Sequence, residues 1–193
     1  PEDLAPTLAQ FGLGVRQYAL CVGTIEPRKN VARLLQSYEQ LPPALRRAYP
    51  LVLVGGKGWQ SEDVHRYIER ATQQGWLHYL SYADQAALPL LYAGARLLVY
   101  PSLYEGFGLP IVEAMASGTP VLTSNTSCMP EVAAGAAKLV NPLDVVDMAA
   151  GLEACLTDTQ WLADATQKGL ARAAMLSWKR CADETVAVYK SLR

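Results

Sequence analysis

The chain has 193 residues, 51% of them apolar, with 17 basic and 18 acidic side chains. This length suits one domain, and this apolar content buries a large core, which excludes a disordered chain. A formal net charge of -1 leaves no electrostatic footprint for nucleic acid, although a few local cations suffice to hold a phosphate.

The first sixteen residues are punctuated by Pro and Gly, start at Pro1 and read as a linker from a preceding domain. No apolar run approaches the roughly 18 residues of a spanning helix, and no basic leader precedes a short apolar stretch. Cys21, Cys128, Cys155 and Cys181 form no CxxC pair and have no His at a metal-ligand spacing. Idle thiols in a reducing cytoplasm are the expectation.

In chain order, Tyr18 to Val22 is the first strand, and Asn30 then caps a helix with the stripe Val31, Leu34, Leu35, Tyr38 and Leu41. Leu51 to Val54 is the second strand, and Ser61 caps a helix carrying Val64, Ile68 and Ala71 that stops at Gly75. Leu77 to Leu80 is the third strand, with a short helix after Asp84 through Leu88, Leu91 and Tyr92. Leu97 to Tyr100 is the fourth, and Pro110 fits the first turn of a helix that ends at Gly118. Pro120 to Thr123 and Ala137 to Val140 are the fifth and sixth. Helices start at Asp144 and Thr159, and residues 177–193 form a last amphipathic helix.

Continuous apolar runs alternating with amphipathic segments indicate an α/β fold. The expected form is a Rossmann-like doubly wound parallel sheet of about six strands, covered on both faces. In such a sheet, ligands bind beyond the carboxyl ends of the strands. Those ends lead into residues 23–30, 55–60, 81–84, 101–109 and 124–130, where the Gly, Pro and paired polar residues concentrate.

Three of these loops carry candidate chemistry. In residues 105–113, Gly106 and Gly108 let backbone N–H groups approach a ligand, and the following helix N-terminus favours phosphate or another oxygen-rich group. Glu113, about one turn in, leans back toward that end and suits a vicinal diol such as a ribose. Glu105 stands on the other side of the same pocket. Helix-dipole complementation explains Glu113 equally well, and solvation explains Glu105. In residues 23–30, Arg28 offers a planar fork and Lys29 a point charge, together suited to a diphosphate. A solvated surface pair is the competing reading. Residues 55–59 (Gly55, Gly56, Lys57, Gly58, Trp59) match neither a P-loop nor GxGxxG and are either a turn or a border of the pocket with Lys57 adding charge.

At these residues the chain resembles the family 4 glycosyltransferases, retaining enzymes of the two-domain GT-B fold. The likeness runs from about Tyr18 to Tyr189. It lies in residues 22–30, 53–59, 80–84, 100–114, 120–124 and 129–132, with Glu105 and Glu113 matching the family's glutamate pair. It covers the C-terminal, donor-binding domain alone, here residues 17–176. A missing N-terminal domain would take the acceptor glycan, and the 177–193 helix would pack toward it.

Residue by residue, the resemblance implies that Arg28 and Lys29 hold the diphosphate, with Gly23, Thr24, Gly56 and Lys57 beside them. Glu113 would bind the ribose and Glu105 would flank the donor sugar. Gly106, Phe107, Gly108 and Leu109 would give backbone contacts, and Tyr82 and Ala83 would border the base. Many members carry Gly-Arg where this chain has Gly23-Thr24, so Arg28 and Lys29 supply the charge alone.

The implied reaction is retaining glycosyl transfer from a nucleotide sugar, with a lean to GDP-mannose or GDP-rhamnose, in bacterial surface polysaccharide synthesis. It needs no cofactor, resident metal or nucleic acid, and the isolated fragment is expected to be inactive. The expected location is the cytoplasm, peripheral at the inner face of the membrane through the other domain. Alternatives are a non-catalytic nucleotide-binding module and a sugar-nucleotide epimerase of related architecture. A dinucleotide oxidoreductase would require GxGxxG after the first strand, where Gly23-Thr24-Ile25 stands instead.

Overall fold

Six short apolar runs become strands because each is buried from both sides. They are β1 (Ala19–Val22), β2 (Leu51–Val54), β3 (Leu77–Leu80), β4 (Leu97–Tyr100), β5 (Val121–Ser124) and β6 (Lys138–Val140). The computed structural model describes residues 3–192. All paired strands are parallel, in the order β3-β2-β1-β4-β5-β6. β2, β4 and β5 are buried along their whole length, as the unbroken apolar runs predict. The expectation of two covered faces fails at β6, where Lys138 and Leu139 are exposed, because an edge strand lacks a neighbour on one side.

Side chains alternate across the sheet and feed two cores. Leu51 and Leu53 join Leu34, Ile68 and Leu152, on the face covered by α2 (Val31–Glu39), α4 (Glu62–Gln73) and α8 (Val145–Thr157). Val52 and Val54 join Leu8, Leu91 and Ile111, on the face covered by α1 (Leu4–Gln10), α5 (Ala87–Gly94), α6 (Leu109–Ala116) and α7 (Met129–Ala133). Helices therefore lie on both faces of a Rossmann-like sheet, as anticipated.

Several helix boundaries behave as the sequence indicates. Asp144 accepts from the Val146 and Asp147 amides, and Ser177 accepts from that of Arg180. Gly75 turns at φ +78° after α4, and Pro110 sits in the first turn of α6. α9 (Thr159–Ala174) starts at Thr159 as expected, and the preceding Asp158 caps it by accepting from the Trp161 amide. Others differ. Asn30 and Ser61 form no side-chain caps; Ser61 Oγ donates to the Gly58 carbonyl instead. Two short helices, α3 (Pro43–Ala48) and α7, were not anticipated, because five or six residues are too few to show a periodic stripe.

The segment read as a linker also departs from expectation. Its α1 buries Leu8, Leu13 follows into the same core, and a Cβ on Gly94 of α5 would strike Leu8 Cδ1 at 2.4 Å. At the other end, α10 (Trp178–Ser191) buries none of its residues, and Trp178 and Tyr189 are exposed. No described helix is long and apolar enough to cross a membrane.

The strand order reverses direction at β1. The chain winds outward through β2 and β3 on one side, then returns to β4 and winds outward through β5 and β6 on the other. The crevice beyond β1 and β4 is thus the switch point where open parallel sheets hold ligands.

Candidate functional site at the switch point

The loops leaving β1 and β4 meet at this point. After β1, residues Pro27–Lys29 make one 3-10 turn, and Asn30 follows in the left-handed region at φ +58°. The Leu103 amide donates to the Arg28 carbonyl at 2.7 Å, which ties the two loops together. Glu105 is carried into the crevice between them.

Glu105 gathers the charged residues. Its Oε1 lies 2.6 Å from Lys29 Nζ and its Oε2 lies 2.5 Å from Arg28 Nη1. Tyr100, the last residue of β4, donates to the same Oε1 at 2.7 Å and accepts from Lys29 Nζ at 2.7 Å. The Lys29 ammonium also stands 4.8 Å from the centre of the Tyr100 ring. Burial by itself would raise the Glu105 pKa, but hydrogen bonds from Lys29 and Tyr100 outweigh it and hold the carboxyl below its ordinary value. Burial, then the Glu105 contact, push the Tyr100 hydroxyl well above its ordinary range, so it stays a donor.

The two cations differ. The Lys29 side chain is 11% exposed and that of Arg28 is 43% exposed. Arg28 is held on its other side by Glu26, whose Oε1 lies 2.6 Å from Nε. The four charges of Glu26, Arg28, Lys29 and Glu105 therefore sum to zero.

Two of the motif's glycines are explained by geometry. Gly23 has φ +144°, and a Cβ there would stand 3.2 Å from Lys29 Cε. Lys29 reaches Glu105 across the place a side chain would occupy. Gly108 has φ +89° and precedes α6, where Pro110 has no N–H and the Ile111 amide bonds the Gly108 carbonyl, so the Leu109 amide is the first-turn N–H without an intrahelical partner. Gly106 faces open space, with no atom within 4 Å of an added Cβ. Phe107 and Leu109 are exposed beside it.

The remaining expected residues lie around this cluster without joining its bonds. Glu113 is exposed on α6, and its Oε2 accepts from Tyr92 Oη at 2.8 Å. Lys57 pairs with Glu62 at 3.7 Å, both well exposed. The Gly56 carbonyl accepts from the Ile25 amide, which lays the loop after β2 on the loop after β1, and Thr24 is exposed there. Tyr82 is exposed in the loop after β3, and Ala83 packs partly on the core.

Sequence reasoning missed several contributors. Tyr100 and Tyr92 read as ordinary apolar-run residues. Ser127 Oγ donates to the Glu105 carbonyl at 3.1 Å and accepts from its amide at 3.2 Å. Cys128 Sγ donates to the carbonyls of Glu105 and Phe107, so this thiol is not idle, whereas Cys21 and Cys155 are pushed up to about 12 by burial. Among the described residues, no group of three or more His, Cys, Asp or Glu is placed to hold a metal ion. A surface hollow of about 270 Å³ near Arg16 and Arg96 is a different matter. Those guanidiniums donate to the carbonyls of Ala95, Gly118 and Leu156, where helices end.

Known proteins resemble this chain in sequence and in fold. The chain is 45% identical over 192 residues to O-antigen chain mannosyltransferase B of Escherichia coli, covering 100% of this chain and 50% of that protein. It is 35% identical over 181 residues to the MMP alpha-(1->4)-mannosyltransferase of Mycolicibacterium hassiacum, covering 91% of this chain and 43% of that protein. The chain thus spans about half the length of these curated relatives. Among solved structures, sucrose-phosphate synthase from Thermosynechococcus elongatus superposes with a TM-score of 0.81 at 27% identity, over 97% of this chain and 48% of that one. Anabaena Alr3699/HepE, solved with UDP and glucose, shares the fold with a TM-score of 0.84 at 24% identity, over 100% of this chain and 53% of that one. The family model for Glycosyl transferases group 1 matches residues 11–172, a span that takes in every strand and both loops of the crevice, and the chain belongs to that family.

Proposed function

We propose that this chain is the donor-binding half of a retaining glycosyltransferase that takes mannose from GDP-mannose and delivers it to a growing surface polysaccharide. The observation that carries the reading is the convergence of Arg28, Lys29 and Glu105 at the switch point, in front of the α6 N-terminus. Two cations near the positive end of α6 suit a diphosphate leaving group, whose developing charge they stabilise. The open space at Gly106 leaves room for a sugar against the Glu105 loop. The names of the relatives support mannose as the donor sugar and an O-antigen type of product.

In the proposed reaction the bond from the anomeric carbon to the diphosphate oxygen breaks. A bond from that carbon to an acceptor hydroxyl forms on the same face, and the hydroxyl proton passes to the leaving phosphate. Glu105 flanks the sugar, Glu113 takes the ribose diol, and Arg28 and Lys29 carry the diphosphate without a resident metal. The acceptor is held by a further domain of the whole protein, which also makes any membrane contact at the cytoplasmic face.

The test is calorimetric titration of the chain with GDP, UDP and ADP in EDTA. Preference for GDP is the expected result. Preference for UDP would keep the nucleotide-sugar site and discard the donor. No binding to any of the three would overturn the site.

A further inference from the structure

We propose that Glu26 is a positioning residue, held by Trp59, that aims the Arg28 guanidinium at the diphosphate; this rests on the nucleotide-sugar reading above. Glu26 is tucked in, with its side chain 14% exposed, and its Oε1 lies 2.6 Å from Arg28 Nε as an ion pair without hydrogen-bond alignment. Its Oε2 accepts from Trp59 Nε1 at 3.2 Å. A carboxylate on the Nε side holds that side of the guanidinium by charge and leaves the Nη edge for a ligand. Glu105 holds Nη1 on that edge, and among the described residues Nη2 has no hydrogen-bond partner.

The loop that carries Trp59 is built to reach Glu26. The Ile25 amide donates to the Gly56 carbonyl at 2.9 Å, and the Gly58 amide donates to the Ile25 carbonyl at 3.1 Å. A Cβ on Gly58 would stand 2.7 Å from the Ile25 oxygen and 3.2 Å from Glu26 Cβ. Glycine at 58 therefore lets the two loops lie against each other. Trp59 itself is 59% exposed, so core packing does not account for it, and among the described residues its side chain has one hydrogen-bond partner, Glu26.

Electrostatics alone predicts the opposite effect from positioning. Glu26 places a negative charge near the expected diphosphate, which opposes an anionic ligand. If Glu26 is a bare counter-charge, its removal tightens binding. If it positions Arg28, its removal weakens binding, because a long free side chain must then be ordered by the ligand.

The experiment is GDP titration of the chain and of Glu26→Ala, Glu26→Gln and Trp59→Phe, with a thermal melt of each. Glu26→Ala is expected to weaken GDP roughly tenfold, the loss of one charge-assisted contact. Glu26→Gln, which keeps an acceptor for Trp59 Nε1 but loses the charge paired with Arg28, is expected to fall between Glu26→Ala and the parent chain, as is Trp59→Phe. All four are expected to melt together. Equal or tighter binding by Glu26→Ala overturns the proposal, as does a joint loss of affinity and melting temperature in both Glu26 variants. Absence of GDP, UDP and ADP binding by the parent chain is a different result, which removes the nucleotide reading itself and this inference with it.

Discussion

A side chain on Gly23 would stand where the Lys29 side chain runs: an added Cβ meets Lys29 Cε at 3.2 Å and Nζ at 3.5 Å. The backbone there, at φ +144°, also disfavours any L side chain. Gly23→Ala is therefore expected to push Lys29 off Glu105 and to cost about 1–3 kcal/mol in backbone strain. Thermal melts measure the stability loss. GDP titration measures the second effect, a weakening that exceeds what a melt-matched core variant shows.

The Glu105 ion pairs carry a pH signature. The carboxyl is held below its ordinary value, with burial opposed and outweighed by Lys29 and Tyr100. A lowered folded-state pKa contributes stability above the unfolded value, near 4.3, and loses it as pH falls through the folded value. Denaturant midpoints are expected to drop between about pH 5 and pH 3, with a shallower drop in Glu105→Gln over the same range. Parallel curves for the two proteins would show that Glu105 is not the titrating group.

Without a ligand, Glu105 pairs with both candidate diphosphate cations. GDP, which lacks the sugar, must displace Glu105 from them and gains nothing from it. Glu105→Gln is expected to bind GDP several-fold more tightly at low salt, with the advantage fading toward about 0.5 M salt as screening grows. Arg28→Ala is expected to bind GDP more weakly, with the largest deficit at low salt. Titrations at three ionic strengths check both signs.

The Glu113 carboxylate is exposed, accepts from Tyr92 Oη and makes no bond to the Glu105 cluster among the described residues. A ribose-binding role makes a specific demand. GDP should bind more tightly than 2′-deoxy-GDP, and Glu113→Ala should weaken GDP by roughly tenfold while erasing that preference. An unchanged preference in Glu113→Ala would place the diol elsewhere.

The fold was legible because continuous apolar runs signal strands buried on both sides, and the β2, β3 and β4 boundaries match the sequence expectation residue for residue. The cluster of Arg28, Lys29 and Glu105 was legible because all three follow strands at their carboxyl ends. What the sequence hid lies across long separations. Tyr100 bonds Lys29 over 71 residues, and Ser127 bonds Glu105 over 22, so neither shows a local pattern. Residues 1–16 read as a linker because Pro and Gly mark turns, while the burial of Leu8 against Gly94 depends on a partner far along the chain.

Asn30 stands at the N-cap position of α2, as the sequence indicates, but its side chain does not cap the helix. Its Nδ2 instead donates to the Pro101 carbonyl at 3.2 Å and the Pro142 carbonyl at 2.7 Å, tying together the loops after β1, β4 and β6. Asn tolerates the left-handed backbone that this requires, at φ +58°. Asn30→Ala loses both the bonds and the backbone preference, and leaves two buried carbonyls unpaired, at a cost of about 2–4 kcal/mol. Asn30→Gly keeps the backbone and loses only the bonds, so it is expected to melt between Asn30→Ala and the parent chain. Because Asn30 follows Lys29 directly, both variants are also expected to weaken GDP binding. If Asn30→Gly matches the parent chain in melting temperature and in GDP affinity, the Asn30 side chain does not hold these loops together.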